Sequence, residues 1–283
     1  MSPGPREQVP PPQPDPAPAA SLLALFADHR LTDKDLTVTV PQDWTSWQGK
    51  HGGLIAGLAV DAAAAAYPDA VVKSVTARFS RQLEDSPFVF QWAVALGGRV
   101  VRTIDVTASQ DETPVMAATV TMVADGTGPG WYSLPAPPSL PPARCSPYEM
   151  DRAFLPVGGH LDIRPCGGCF PLTAATEPWM LAWLSVIPAV AIGPGAAVLL
   201  SDLAPGVFPL LTSPVPAPTV ELTVHLCADL GAEPGTAPVL GSQRNSSTAG
   251  HWSVDDASLW DSAGRLIAQA RQLRRIVGGI TRR

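Results

Sequence analysis

The chain of 283 residues is long enough for one large domain or two ordinary ones. With 46% hydrophobic and only 16% charged residues it can bury a substantial core, which excludes a chain that is disordered as a whole. A formal net charge of −6 and the lack of a clustered basic face argue against nucleic acid as the main partner.

The N-terminal 20 residues contain eight prolines and little that could pack, so we predict a disordered tail over residues 1–20. They show no basic segment followed by an apolar run, and no secretory signal is evident. The most apolar later stretch, residues 179–200, is broken by Pro188 and Pro194, which disfavours a membrane span. We therefore expect a cytoplasmic protein without a membrane partner.

The first predicted elements are a helix and a strand. Gly52 and Gly53 precede a proline-free, Ala-rich segment, residues 54–66, which predicts a buried helix of about four turns that ends before Pro68. Apolar and polar residues then alternate over residues 71–79, the pattern of a half-buried strand. Because the helix is apolar nearly all round, we expect the strands that follow to wrap around it. These runs cover residues 88–96, 100–108 and 110–119.

A proline-rich stretch divides the chain near its middle, and a weak repeat follows it. In the second half a segment resembling a helix, residues 193–203, precedes strand-like runs, which are residues 218–224, 237–243, 250–259 and 260–270. Two copies of one fold explain this order. We predict an N-terminal unit over residues 21–125, a linker over 126–150, a C-terminal unit over 151–277 and a tail over 278–283.

An ordered set of residues resembles the acyl-CoA thioesterase II family, the double-hotdog thioesterases. The set comprises Gly52-Gly53 before the helix, the strand motif of residues 74–79, the Gly-Gly-Arg turn of residues 97–99, Gln110, residues 161–164, Trp183, Ser201-Asp202, Pro218-Thr219 and residues 266–272. The similarity covers about residues 21–277. It implies an α+β double hotdog, in which each unit is a long helix wrapped by an antiparallel sheet. The two fused units would form one continuous sheet, with possible homo-oligomers through exposed sheet edges.

The resemblance also implies a reaction and a site. The reaction is hydrolysis of an acyl-CoA or acyl-carrier thioester without a cofactor, and the implied catalytic residues are Asp202, Thr219 and Gln272. A carboxylate, a hydroxyl and an amide together could hold one water in a fixed orientation for attack on a carbonyl carbon. Gly52 and Gly53 would let the substrate approach backbone N–H groups at a helix start, which could stabilise the oxyanion.

The internal alignment offers a second set, Asp61, Ser74 and Thr121, in the first half. Placing Val115 opposite Leu266 puts Thr121 where the second half has Gln272, so the first half lacks the amide. We therefore expect one working site, built from the C-terminal half. Thr223 is the alternative hydroxyl if the strand register differs.

Other chemically suggestive residues receive simpler interpretations. His51 fits a polar residue at a helix start. Cys166 and Cys169 have the spacing of half a zinc site, but no second pair lies at a suitable distance, so no metal is expected. The arginines near the C-terminus are interpreted as a solvated end, namely Arg274, Arg275, Arg282 and Arg283.

Two departures from the family leave the substrate open. Ser185 stands two positions after Trp183, where the family tends to carry Arg, and the basic residues that could meet CoA phosphates are scattered. Two alternatives remain. A dehydratase or cyclase acting on carrier-bound intermediates would need a His–acid pair at the helix start, to which only His51 could contribute. A non-catalytic acyl-binding protein would bind the ligand without turnover.

Overall fold

A computed structural model describes residues 21–47, 49–124, 130, 132–203, 205–230 and 235–278. The predicted N-terminal tail, part of the predicted linker and all but Gly278 of the predicted C-terminal tail lie outside the described residues. Within the described ranges, no helix is both long and apolar enough to cross a membrane.

One antiparallel sheet of twelve strands dominates the described part of the chain, together with a two-stranded ribbon of β3 (Thr45–Ser46) and β4 (Gly49–Lys50). Two α-helices, α1 (Gly52–Ala66) and α2 (Pro194–Ser201), complete the described regular structure apart from short 3-10 turns. The strands of the large sheet are β1 (His29–Leu31), β2 (Asp35–Val38), β5 (Val71–Phe79), β6 (Phe88–Gly97), β7 (Val101–Gln110), β8 (Thr113–Val123), β9 (Leu161–Gly168), β10 (Trp179–Val186), β11 (Thr219–Leu226), β12 (Val239–Ala249), β13 (Trp252–Trp260) and β14 (Leu266–Arg275).

The strand order shows that the chain is duplicated. It runs β1-β2-β6-β7-β8-β5-β11-β14-β13-β12-β10-β9. Counted from the outer edge to the centre, the six strands of each half follow one another in the same order along the chain. The halves join where β5 pairs antiparallel with β11, with Thr76 opposite Thr223 and their hydroxyl oxygens 3.1 Å apart. The predicted α+β double hotdog is confirmed, with one continuous sheet.

The two helices pack against each other inside this sheet and differ in length. The chain leaves α1 at Tyr67, because Pro68 cannot continue a helix. At 1.5 Å per residue, α1 is about 22 Å long and α2 only about 12 Å. The backbones touch at a glycine pair, since a Cβ added to Gly57 would lie 2.6 Å from the carbonyl oxygen of Gly195.

The described part of the predicted linker is bound to the outer face of the C-terminal sheet. The indole N–H of Trp183 donates to the carbonyl of Leu140 at 2.7 Å, and that of Trp260 donates to the carbonyl of Leu134 at 2.9 Å. Cys145 is buried in the same apolar cluster. The segment therefore acts as a packed strap, while the domain boundaries themselves stay a prediction.

Candidate active site

Asp202 lies at the C-terminal end of α2 and is almost completely buried, with 3% exposed. Its Oδ1 accepts a hydrogen bond from the Thr219 hydroxyl at 2.9 Å, and its Oδ2 accepts one from the backbone N–H of Gly53 at 2.7 Å. The carboxylate thus joins the end of one helix to the start of the other and to β11. Two of the three predicted catalytic residues, Asp202 and Thr219, are in direct contact.

Arg274 is a site residue that the sequence interpretation missed. Its Nη2 lies 2.7 Å from Oδ1 of Asp202, and its Nη1 donates to the Thr219 hydroxyl at 3.0 Å. The residue is only 3% exposed, so the interpretation of Arg274 as part of a solvated end is wrong. Even-numbered residues of β14 from Ala268 onward face inward, which places Arg274 on the same side as Gln272. This alternation along the strand could have identified Arg274 as an inward-facing residue from the sequence.

A second carboxylate, Asp255 on β13, lies on the other side of the same guanidinium. Its Oδ2 forms an ion pair with Nε of Arg274 at 3.1 Å and accepts the Gly206 N–H at the same distance. Its Oδ1 accepts from the Asn245 amide at 2.8 Å and from the Ser253 hydroxyl at 3.0 Å. Removing three charged groups from water costs free energy. The attraction between the Arg274 cation and the two carboxylates, together with these hydrogen bonds, offsets that cost.

Gln272 is buried, as expected of an amide that faces inward, but it does not contact the other two predicted catalytic side chains. Its Nε2 donates to the carbonyl of Ser201 at 2.7 Å, one residue before Asp202. Its Oε1 is buried and has no hydrogen-bond partner among the described residues. Thr223 instead bonds Thr76 at the join between the halves, so the observed register favours Thr219 as the site hydroxyl.

His51 caps the start of α1 beside these residues. Its Nδ1 accepts the Leu54 N–H at 3.3 Å, which leaves the ring proton on Nε2 when the imidazole is neutral. Burial lowers the pKa of His51 below its usual value; the Asp202 carboxylate opposes this effect and the Arg274 guanidinium adds to it. The imidazole is therefore neutral near pH 7.

The two predicted substrate-binding glycines differ in position. The N–H of Gly53 is occupied by Asp202, and a Cβ at Gly53 would lie 2.6 Å from Cβ of Asp202, so only glycine permits this approach. Gly52 lies on the wall of a cavity of about 350 Å³, which we call the polar cleft. Its lining also includes His51, Asp202, Thr219, Arg274, Lys50, Arg81 and Arg275.

The first half has no comparable polar cluster at the corresponding positions. A β-bulge leaves Val115 unpaired in β8, and an equivalent bulge leaves Ile267 unpaired in β14. These two residues therefore correspond, and the alignment of Val115 with Leu266 is wrong by one position. When the strand pairs of the two halves are matched outward from these bulges, the polar residues of the second half correspond to apolar residues of the first. Asp255, Gln272, Arg274 and Thr219 correspond to Ile104, Val120, Met122 and Val72, all of them buried.

The second predicted set, Asp61, Ser74 and Thr121, is not assembled into a site. Asp61 accepts hydrogen bonds from the Ser21 hydroxyl at 3.0 Å, the Leu22 N–H at 2.5 Å and the Gly195 N–H at 3.1 Å. Ser74 and Thr121 pair with each other across β5 and β8 and are only partly buried. Burial raises the pKa of Asp61 to about 7, although its hydrogen bonds partly oppose this.

The cysteines of the predicted half zinc site lie apart from other possible metal ligands in the described ranges. No three His, Cys, Asp or Glu side chains there are grouped as metal ligands, and Cys166 and Cys169 are free thiols. Burial raises the pKa of Cys166 to about 11.

Comparisons with known proteins match both halves. A family model described as the acyl-CoA thioesterase N-terminal domain matches residues 40–123, and one described as the acyl-CoA thioesterase C-terminal domain matches residues 137–276. Among curated proteins, no sequence matches the chain.

Solved structures with the same fold include three that match nearly the whole chain. A hot dog fold protein of unknown function from Alicyclobacillus acidocaldarius is 21% identical, with a TM-score of 0.80 over 89% of this chain and 96% of that one. A proposed thioesterase II from Thermobifida fusca is 24% identical, with a TM-score of 0.77 over 91% and 98%. An acyl-CoA thioesterase II from Mycobacterium marinum is 18% identical, with a TM-score of 0.68 over 89% and 96%.

Proposed function

The chain belongs to the acyl-CoA thioesterase family and is a thioester hydrolase, and on that premise we propose that it hydrolyses acyl-CoA by direct attack of a water bound to Asp202. The observation that carries this proposal is the position of Asp202, a buried carboxylate on the wall of the polar cleft with Thr219 hydrogen-bonded to it. A thioester whose carbonyl enters this cleft would meet a base that is already fixed in place.

Asp202 is suited to accept a proton from water. Three donors occupy its oxygens, namely the Thr219 hydroxyl, the Arg274 guanidinium and the Gly53 N–H. A carboxylate offers about four acceptor positions, so one remains for a water. The ion pair with Arg274 and the hydrogen bond from Thr219 both involve Oδ1 and hold the carboxylate in place on the cleft wall.

The reaction then needs no covalent intermediate. The water oxygen bonds to the thioester carbonyl carbon while Asp202 takes its proton, and the tetrahedral intermediate collapses with cleavage of the carbon–sulfur bond. The CoA sulfur leaves with the proton returned by Asp202. Thr219 would orient the water, and the unpartnered Oε1 of Gln272 offers a buried acceptor for a further water. The Gly52 N–H at the start of α1 is the proposed oxyanion donor.

A dehydratase is the second candidate, because His51 and Asp202 line the same cleft. In that reaction the histidine would remove a proton and the acid would donate one to the departing hydroxyl. The Nδ1 of His51 already accepts the Leu54 N–H, which leaves no free basic nitrogen on the neutral ring. The Asp202 carboxylate is bonded to Arg274, Thr219 and the Gly53 N–H and does not form the His–acid pair that a dehydratase needs. Both contacts favour hydrolysis.

The test uses two substrates with the full-length protein, a saturated acyl-CoA and its 3-hydroxyacyl counterpart. Hydrolysis releases one free thiol per turnover, whereas dehydration leaves the thioester intact and forms a conjugated double bond that absorbs in the ultraviolet. We expect thiol release from both substrates and no conjugated product. Conjugated product without thiol would assign the dehydratase, and binding without either product would assign an acyl-binding protein.

A further inference from the structure

A second cavity, of about 130 Å³, adjoins the polar cleft and has a different lining. We call it the apolar pocket, because most of its lining side chains are apolar, although Ser46, Asp151 and Gln243 also line it. The apolar side chains include Trp47, Met150, Phe154, Leu155, Leu184 and Phe208. The two cavities share Ser46, Trp47 and Leu203 as lining residues, so they meet beside Asp202, the residue that precedes Leu203.

The pocket lies beyond the end of the short helix α2. This helix ends at Ser201 after eight residues, whereas α1 in the first half has 15. The floor of the pocket comprises Leu161 and Ile163 of β9 and Ala182 and Leu184 of β10. Its walls come from two connecting segments, residues 148–157 and residues 203 and 205–214.

Trp47 is held at the junction of the two cavities in an unusual backbone conformation. Its φ of 47° lies in the left-handed region, which a bulky residue occupies only when its surroundings compensate for the strain. The compensation is aromatic packing: the Trp47 ring lies edge-on to Phe154 and to Phe208, each with centroids 5.3 Å away. The junction is therefore a built feature, with Phe154 and Phe208 as its supports.

We infer that the apolar pocket binds the acyl chain of the thioester whose carbonyl lies at Asp202, and that Phe154 limits the length of that chain. This inference rests on the proposed function. The division of the two cavities into a polar and an apolar part matches the division of an acyl thioester into a carbonyl head and a hydrocarbon tail. A dry protein cavity of about 150 Å³ holds one benzene molecule, so this pocket fits an acyl tail of about six carbons.

The inference predicts how activity depends on chain length. Each methylene that enters the pocket adds apolar burial equivalent to about a fourfold gain in affinity. For straight-chain acyl-CoA substrates of increasing length, kcat/KM therefore rises by about this factor per carbon and levels off or falls near six carbons.

Phe154→Ala tests the limit, because it removes a ring from the wall, and none of the hydrogen bonds to the Asp202 carboxylate involves Phe154. We expect the maximum of kcat/KM to move to longer chains. Ala182→Val narrows the floor and moves the maximum to shorter chains. The matched control is Phe170→Ala, since Phe170 is 53% exposed and does not line the pocket, and it leaves the profile unchanged. A Phe154→Ala profile identical to that of the wild type overturns the inference.

Binding separates the inference from the proposed function. S-alkyl-CoA thioethers cannot be hydrolysed, so calorimetry with a chain-length series measures the pocket without turnover. If no substrate releases thiol but thioether affinity shows the same limit and Phe154→Ala extends it, the proposed function fails and the pocket assignment holds. If thiol is released while neither affinity nor the Phe154→Ala profile depends on chain length, the pocket assignment alone fails.

Discussion

Arg274 shows how one buried residue organises the site. It contacts Asp202, Thr219 and Asp255, and each of these contacts comes from a different element. The sequence could indicate Asp202 and Thr219 through the family resemblance, and strand alternation could have indicated Arg274. Asp255 could not be found in this way, because only the pairing of β13 with β14 brings it next to residues that are distant in sequence.

Replacement of Arg274 by methionine tests this organisation. The variant leaves two buried carboxylates without their shared cation, so Arg274→Met should lower the free energy of unfolding by about 3–5 kcal/mol, measured by urea titration. Arg275→Met is the matched control. Arg275 is exposed and lies over the Trp252 ring, so its loss should change stability by about 1 kcal/mol or less. Equal effects of the two variants would contradict the assigned role of Arg274.

Asp61 gives the molecule a distinctive pH dependence. Its pKa is about 7 in the folded protein and about 3.8 in the unfolded chain. Because the folded pKa is the higher of the two, the contribution to stability is complete below about pH 4 and is lost as the pH rises through about 7. The loss is on the order of 4 kcal/mol.

Asp61→Asn removes this titration while keeping the shape of the side chain. The difference in unfolding free energy between wild type and variant should therefore shift steadily in favour of the variant between pH 4 and pH 7. Denaturant unfolding at several pH values measures it. A difference that stays constant over this range would contradict a buried carboxyl with a raised pKa.

At the scale of elements, β14 shows both the strength and the limit of reasoning from periodicity. Alternation counted from Leu266 correctly predicts that Gln272 faces inward, but for the wrong reason. The bulge at Ile267 places Leu266 on the outer face with Trp260, while Ala268 and Gln272 face the helices. A bulge leaves no clear mark in a single sequence, so the internal alignment was shifted by one residue and assigned Thr121 wrongly.

The contact between α1 and α2 depends on glycine. A Cβ at Gly57 would lie 2.6 Å from a carbonyl oxygen of α2 and 2.7 Å from a Leu22 methyl, so Gly57→Ala should overpack the contact. The expected net loss of unfolding free energy is about 1–3 kcal/mol, despite the better helix propensity of alanine. Gly235→Ala, where a Cβ would meet no atom of the described residues within 4 Å, should stay within about 0.5 kcal/mol. Thermal unfolding of both variants provides the comparison; no loss in Gly57→Ala would contradict direct helix contact.

At the scale of the whole molecule, duplication was readable from the sequence because helix and strand periodicities recur in order. The edge strands β1 and β9, and β2 next to β1, were not predicted, since β1 and β2 are short and β9 contains a proline and two glycines. The halves differ in the residues at corresponding positions of the sheet. The second half has a polar cluster, while the first half has apolar residues at the same strand positions. In the first half, Asp61 accepts hydrogen bonds from Ser21 and from the Leu22 N–H. Association through the outer sheet edges stays a prediction.

One carboxylate, Asp202 of the second half, is proposed to activate the attacking water. The chain supplies its own matched pair of variants, because Asp202 and Asp61 are both buried and each contacts the start of the opposite helix. The decisive measurement is kcat/KM for thiol release from an acyl-CoA at neutral pH. Asp202→Asn should lower it by about 10²–10⁴-fold, the usual contribution of a general base, while Asp61→Asn keeps it within about twofold. Full activity in Asp202→Asn, or an equal loss in both variants, would contradict the account.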